Sequence, residues 1–424
     1  MSKYNRVSPM KVIMIILGIL LVAAAVVLAV FIYSDGLRQG NLNASVDQSF
    51  IFGTCYGDVN DVELAEELIS VKGLEGYNAE MGRISSEYYL DQLRDAKETE
   101  AVSLYNALIY AYHNNFNFIS VPSAMYDEDT MVKAVYYANC DLPVMDLNTE
   151  IGGAESSITL ADGTVSKRYY IYLPTGSKTH LEFKRQAVRE AEAVVAAMPE
   201  ENNTDLKKAA YLHDWLVRNV RYTADDTYVA GSPYYLYDTL VGRVSNSDGI
   251  ARTYTLLLNL CGVESFTVYR AESGGKLAHS WNIFKADGNY YQSDATHDVN
   301  VYSLGLGNLK LHFALSADAM GNGDFHRIIK DATPNCTATN RDQDYIDAIV
   351  PGTEEAYKDA EGMIALRDKL DNGAPYVTIR CPKFAESEWT ENFKVISRWF
   401  ADSKVSFKVS NAGAQTCVLY TKDE

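Results

Sequence analysis

Apolar positions run unbroken from Val12 to Tyr33, about 22 residues without a charge. That is long enough to cross a bilayer as a helix. Lys3, Arg6 and Lys11 precede the run and Asp35 follows it. A basic flank stays in the cytoplasm, so the expectation is a cytoplasmic tail over 1–11, a transmembrane helix over 12–33, and the bulk of the chain outside the cell. A cleaved signal peptide would carry a shorter apolar core, ~7–15 residues, and a small-residue cleavage site. The mixed, polar stretch 34–82 reads as a stalk, with one short helix at Val62–Val71. From Ser85 the pattern turns helical: Tyr88, Leu93, Leu104, Leu108 and Tyr112 form a stripe behind a Ser85/Ser86 cap. A second helix is expected over Asp127–Asn139. Ser156–Leu173 then alternates around Asp162-Gly163, a hairpin signal. Together 83–180 reads as a mainly helical domain with a hairpin.

Further helices are expected over Leu181–Met198 and Thr204–Val220. A tyrosine-rich loop, Tyr228 to Tyr237, leads to a third. In that one Ile250, Tyr254, Leu257, Leu258 and Cys261 keep helical spacing behind Ser247 as N-cap, and Gly262 ends it. Cys261, about four turns from the entrance, is assigned to packing. Asp287-Gly288 marks a two-residue hairpin turn. It sets Ala286 opposite Asn289, Phe284 opposite Tyr291, Trp281 opposite Asp294 and His279 opposite Thr296. His279 and Asp294 become diagonal neighbours on one face, within side-chain reach. Such a carboxylate orients one imidazole nitrogen and leaves the other for a reacting group. Beyond Ala332, "PYVTIRCP", a helix near Glu386–Asp402 and "VSFKVSNAGAQTCVLYTK" suggest a small separate α/β unit over 333–424.

Composition changes this picture in two places. The net charge of −18 argues against a nucleic-acid partner, which needs a basic surface. The six cysteines are scattered without CxxC or zinc spacing, so disulfides and free thiols both stay open. Asp294, His297, Asp298 and His326 lack a recognisable ligand spacing, and neither a metal nor a cofactor is expected.

The order of blocks resembles the transglutaminase-like (papain-like) superfamily. Its pattern is a leucine, then Cys-x-Gly-x-Ala opening a helix, then His-x-Trp-Asn, then Asp-x-Thr. Here Leu240 leads to Ser247-Asp248-Gly249-Ile250-Ala251, then His279-Ser280-Trp281-Asn282, then Asp294-Ala295-Thr296. "YLHDWLVRNVRYT" upstream and "HFALSADAM" downstream are similar to segments that flank this core. The resemblance covers about Leu181 to Ile329 and sets the domain at 181–332. It implies an α+β fold with a helix packed on an antiparallel sheet, and a catalytic set of Cys, His and Asp. This sequence offers Ser247, His279 and Asp294. Trp281, Asn282, Tyr228, Tyr234 and Tyr235 are the residues expected to line a binding cleft.

The serine divides the functional readings. A thiol ionises near pH ~8.5, and lower at a helix N-terminus beside histidine. A serine hydroxyl needs far more help from its base and oxyanion donors. The leading expectation is an inactive domain holding an extracellular peptide, protein or cell-wall component. The alternatives are an active Ser-His-Asp hydrolase or acyltransferase, and a structural surface protein.

Overall fold

The computed structural model describes residues 49–53, 67–70, 84–113, 116, 118–145, 156–159, 165–173, 178–224, 235–271, 277–303, 305, 310–320, 333–342, 344–349, 360–382, 405–412 and 415–422. The expected membrane helix, Tyr228, Tyr234, His326 and the expected helix near Glu386–Asp402 lie outside them. Among the described residues no helix is long and apolar enough to cross a membrane. The chain divides into two compact units. One is Met1–Ala79, Ala96–Tyr136 and Leu147–Leu181; the other is Glu80–Asp95, Tyr137–Asp146 and Glu182–Glu424.

The first unit carries more sheet than its sequence suggests. Strands β1 (Ser49–Gly53), β2 (Glu67–Ser70), β3 (Phe118–Pro122), β4 (Ser156–Thr159) and β5 (Val165–Tyr172) form one sheet in the order β2-β1-β3-β5-β4. All its pairings are antiparallel. Two of the strands fall in the expected stalk, and β2 replaces part of the short helix expected at Val62–Val71. Phe50 and Phe52 alternate into the interior at 0 % exposure, which is what β1 contributes to the core. The expected hairpin is present as β4 and β5, with Ser156 opposite Arg168. Arg168 is buried and donates to the Ser120 hydroxyl at 2.8 Å and the Ser120 carbonyl at 2.9 Å. The long helix expected from Ser85 is two, Tyr88–Asp95 of the second unit and Thr99–His113 of the first, broken where Lys97 takes φ 59°.

The second unit holds the region of interest. Its centre is an antiparallel sheet in the order β10-β9-β8, from β8 (Ser265–Ala271), β9 (Leu277–Ala286) and β10 (Asn289–Ser293). The turn between β9 and β10 places Asp287 at φ 51° and Gly288 at φ 76°, the pair of positive values a tight hairpin needs. The helix Ser247–Leu260 packs on this sheet. Ile250, Tyr254, Leu257 and Leu258 are each 0 % exposed, worth ~1.5–3 kcal/mol apiece by area burial. Polar links fix its rotation: Thr255 Oγ1 meets Thr267 Oγ1 at 3.0 Å, and Tyr254 donates to the Ala209 carbonyl at 2.9 Å. Gly262, at φ 81°, follows the helix end as its pattern requires.

The C-terminal sheet, β11 (Ala348–Ile349), β12 (Val377–Pro382), β13 (Val405–Ala412) and β14 (Gln415–Lys422), has the order β11-β12-β14-β13. It falls within the second compact unit. Arg380 shows the tie: buried, it donates to the carbonyls of Asp342 at 2.7 Å and Leu311 at 2.8 Å.

Candidate active site

Two short parallel strands set the entrance of the Ser247 helix. β6 (Arg221–Tyr222) ends the helix Asp205–Asn219, and β7 (Val244–Ser245) pairs with it. The N-cap is Asn246, whose side-chain oxygen accepts from the Gly249 amide at 3.0 Å. This corrects the expectation that Ser247 caps the helix. Asn is as good a cap as Ser, and one residue earlier it satisfies the third amide. Ser247 is therefore the first helical residue, half-buried at the positive end of the helix. Among the described residues its hydroxyl makes no hydrogen bond, to His279 or any other.

Gly249 explains why this entrance is tight. A Cβ there would fall onto Ser245 Oγ and lie 2.8 Å from Thr239 Oγ1 and 3.1 Å from the Tyr235 carbonyl. Gly249→Ala is expected to cost ~1–3 kcal/mol by overpacking. Denaturant unfolding would measure it, and a neutral result would mean the entrance yields to an added methyl.

The hairpin register matches expectation through Ser293, with Phe284 opposite Tyr291. It stops there, because the chain leaves the sheet at Asp294 and starts the helix Ala295–Ser303. Trp281 opposite Asp294 and His279 opposite Thr296 are thus corrected; the His279–Asp294 contact they implied is made anyway. His279 Nε2 lies 2.6 Å from Asp294 Oδ2. Asp294 is 4 % exposed, and burial pushes its carboxyl up. The charges of His279 and His297 and the His279 hydrogen bond outweigh that and hold it well below the usual carboxylate range. An ionised carboxylate only accepts, so Nε2 carries the proton and Nδ1 is left as the basic nitrogen. Asp294 Oδ1 accepts from the His297 amide at 3.3 Å, and the Asp294 amide donates to the His312 carbonyl at 2.8 Å.

Trp281 and Asn282 do not line a cleft, being 2 % and 1 % exposed. Trp281 donates to Gln292 Oε1 at 3.0 Å, and its ring lies 6.1 Å from that of His279 at 16°. Asn282 donates to the Ala251 carbonyl and Thr255 Oγ1, both at 2.8 Å. Both residues support the pair: one stacks beside the imidazole and the other clamps its strand to the helix. Of the expected cleft tyrosines, Tyr235 is described and partly buried.

A second layer went unread in the sequence. His312 Nδ1 is 2.8 Å from Asp298 Oδ1, and the His312 amide donates to Asp298 Oδ2 at 3.1 Å. His213 Nε2 is 3.1 Å from Asp298 Oδ2, at an angle short of a hydrogen bond. The ring of His312 sits 5.0 Å from that of His297, whose Nε2 is 3.4 Å from Asp294 Oδ2. The one available signal was His213 itself, on the buried face with Ala209, Leu212 and Leu216.

This layer gives a pH dependence. Burial pushes His297 down to about 4, and His312 and His279 add to that against the pull of Asp294 and Asp298. The unfolded imidazole takes its proton near ~6.5, so the unfolded chain binds more protons between there and about pH 4. Stability is lost as pH falls through that window, by about 2 kcal/mol once partial exposure is discounted. Asp294 and Asp298, both held low, add their loss below the normal carboxylate range. His213 has the opposite sign. Burial lowers it but Asp214 and Asp298 raise it overall, so its contribution fades only as pH rises. His297→Gln should flatten the fall in melting temperature between pH 6.5 and 4; an unchanged slope would exclude His297 as its source.

With this geometry in place, residues 192–295 match the model of the transglutaminase-like superfamily. No curated protein matches the chain. Among solved structures, a candidate cysteine protease from Cytophaga hutchinsonii is similar at 16% identity, TM-score 0.20, over 34% of this chain and 62% of that one. The periplasmic domain of TgpA from Pseudomonas aeruginosa, bound to ethylmercury, is similar at 12% identity, TM-score 0.21, over 37% of this chain and 66% of that one. A candidate protease from Parabacteroides distasonis is similar at 10% identity, TM-score 0.23, over 65% of this chain and 62% of that one. The chain thus spans just under two thirds of each. The helix entrance, the hairpin and the His279–Asp294 pair all lie within 192–295, the segment that matches the transglutaminase-like superfamily.

Proposed function

We propose that this is a membrane-anchored protein whose transglutaminase-like domain holds a peptide or cell-wall component outside the cell without turning it over. The carrying observation is the residue at the helix entrance. Ser247 stands where the family motif has cysteine, and its hydroxyl makes no hydrogen bond to His279. An unassisted hydroxyl is a poor nucleophile at neutral pH, whereas a thiol in that position ionises readily. The anchor is Val12–Tyr33, with its basic flank inside.

One observation favours a second reading, a serine hydrolase or acyltransferase. His279 keeps its carboxylate at 2.6 Å and with it a basic Nδ1. Peptide-amide turnover by the purified chain, with fluorophosphonate labelling at residue 247, separates the two. The binding reading expects neither. Labelling that disappears in Ser247→Ala and in His279→Ala would replace it with the enzyme.

A further inference from the structure

The sequence spacing around Asp294 promised no metal site, yet folding gathers one. His279, Asp294 and His297 each bring a ligand atom to within 4.8 Å of the other two. Asp294 Oδ2 is the shared corner, 2.6 Å from His279 Nε2 and 3.4 Å from His297 Nε2. Two bonds of about 2.0–2.1 Å at a tetrahedral angle would set neighbouring ligand atoms ~3.3 Å apart. The two separations bracket that value, and the third, between the two imidazoles and within 4.8 Å, has to close toward it as the ion enters.

The surroundings hold the three groups in place. Asp294 is fixed through both its amide and Oδ1, the latter accepting from the His297 amide at 3.3 Å. His279 stacks beside Trp281, and His297 packs against His312, itself pinned by Asp298. Outer partners of this kind orient imidazole ligands. The side chains of His279 and His297 remain 21% and 27% exposed, which leaves an approach from solvent. Two imidazoles and one carboxylate suit zinc and its first-row neighbours rather than magnesium or calcium, and three protein ligands leave a fourth position open.

We propose that His279, Asp294 and His297 bind a zinc-class divalent ion. The ion replaces the proton on His279 Nε2, which leaves to solvent, and so breaks the His279–Asp294 hydrogen bond. Metal binding and orientation of His279 by Asp294 therefore exclude each other. The site goes beyond the peptide-binding reading and does not depend on Ser247 being inert.

The test is Co²⁺ titration of the chelator-treated full chain, followed by the visible absorption of a four-coordinate nitrogen–oxygen site and by Zn²⁺ competition. One ion per chain is expected. Affinity should fall at least ~100-fold in His279→Gln and in His297→Gln, more than loss of an outer partner would cost. His113→Gln, in the first unit, should leave it unchanged. A measurement without variants runs beside it: Zn²⁺ should protect His279 and His297 from diethyl pyrocarbonate, read by peptide mass spectrometry. No uptake, uptake that survives both variants, or equal modification with and without Zn²⁺ would overturn the site. None of those results bears on peptide turnover.

Discussion

Replacing Arg252 with methionine should destabilise the second unit by ~3–5 kcal/mol. Arg252 is one turn beyond Asp248 on the Ser247 helix, and the two are 2 % and 5 % exposed. Its Nε donates to Asp248 Oδ2 at 2.9 Å and its Nη2 to Asn139 Oδ1 at 2.9 Å; Nη1 donates to the Met145 carbonyl. The guanidinium also sits 5.5 Å from the centre of the Tyr269 ring. Methionine keeps most of the volume and removes every donor. Asp248 is then a buried charge without its cation, and such a residue costs more than the pair was worth. The control is the pair replacement, Asp248→Leu with Arg252→Met, which removes both charges and should recover most of the loss. Urea unfolding followed by the fluorescence of Trp215 and Trp281 measures both. A single variant within about 1 kcal/mol of the parent would show that Asp248 is solvated, against the packing described.

Asp298→Ala should cost a similar ~3–5 kcal/mol, by a different route. Asp298 is fully buried and faces two buried histidines. Removing it strips the His312 amide and Nδ1 of their acceptor and leaves His213 with Asp214 alone, 3.8 Å away. Burial pushes the Asp298 carboxyl up, but His312 and His213 outweigh that and hold it low, so the acceptor lost is a carboxylate. Asp298→Asn retains an acceptor oxygen and should fall between Ala and the parent. If Asn proves as damaging as Ala, the charge matters and the hydrogen bonds do not. Because His312 packs on His297, Asp298→Ala should also change the acid-side slope that His297 sets. An unaltered slope would separate the two layers.

The site was legible where its signals are local. The Asp287-Gly288 turn carries its own register, and extending it predicts the His279–Asp294 contact, which is made although the chain leaves the sheet after Ser293. Helix spacing placed Ile250, Tyr254, Leu257 and Leu258 in the core. What escaped depends on partners distant in sequence. Arg252 reaches Asn139 and Met145 across more than a hundred residues, and no periodicity announces such a link. His213 and His312 meet at Asp298 only after the fold forms. The strands β1 and β2 are 5 and 4 residues long, too short for alternation to separate them from loop. The Ser85 pattern continued smoothly over Lys97, where neither Gly nor Pro marks the break. Trp281 and Asn282 carried a family motif, and exposure cannot be read from a motif.

We propose that residue 247 takes a nucleophile's place within reach of the imidazole that Asp294 supports. The most direct measurement of this is the alkylation midpoint of Ser247→Cys, read against pH with iodoacetamide by mass spectrometry of the peptide bearing residue 247. Background from Cys261 should be small near neutral pH, since burial pushes that thiol up to about 11. If the helix N-terminus and His279 both act on it, the new thiol should titrate well below the ordinary ~8.5 and return toward it when His279→Ala is added. A midpoint at the ordinary value, indifferent to His279, would show that residue 247 and His279 do not form one site.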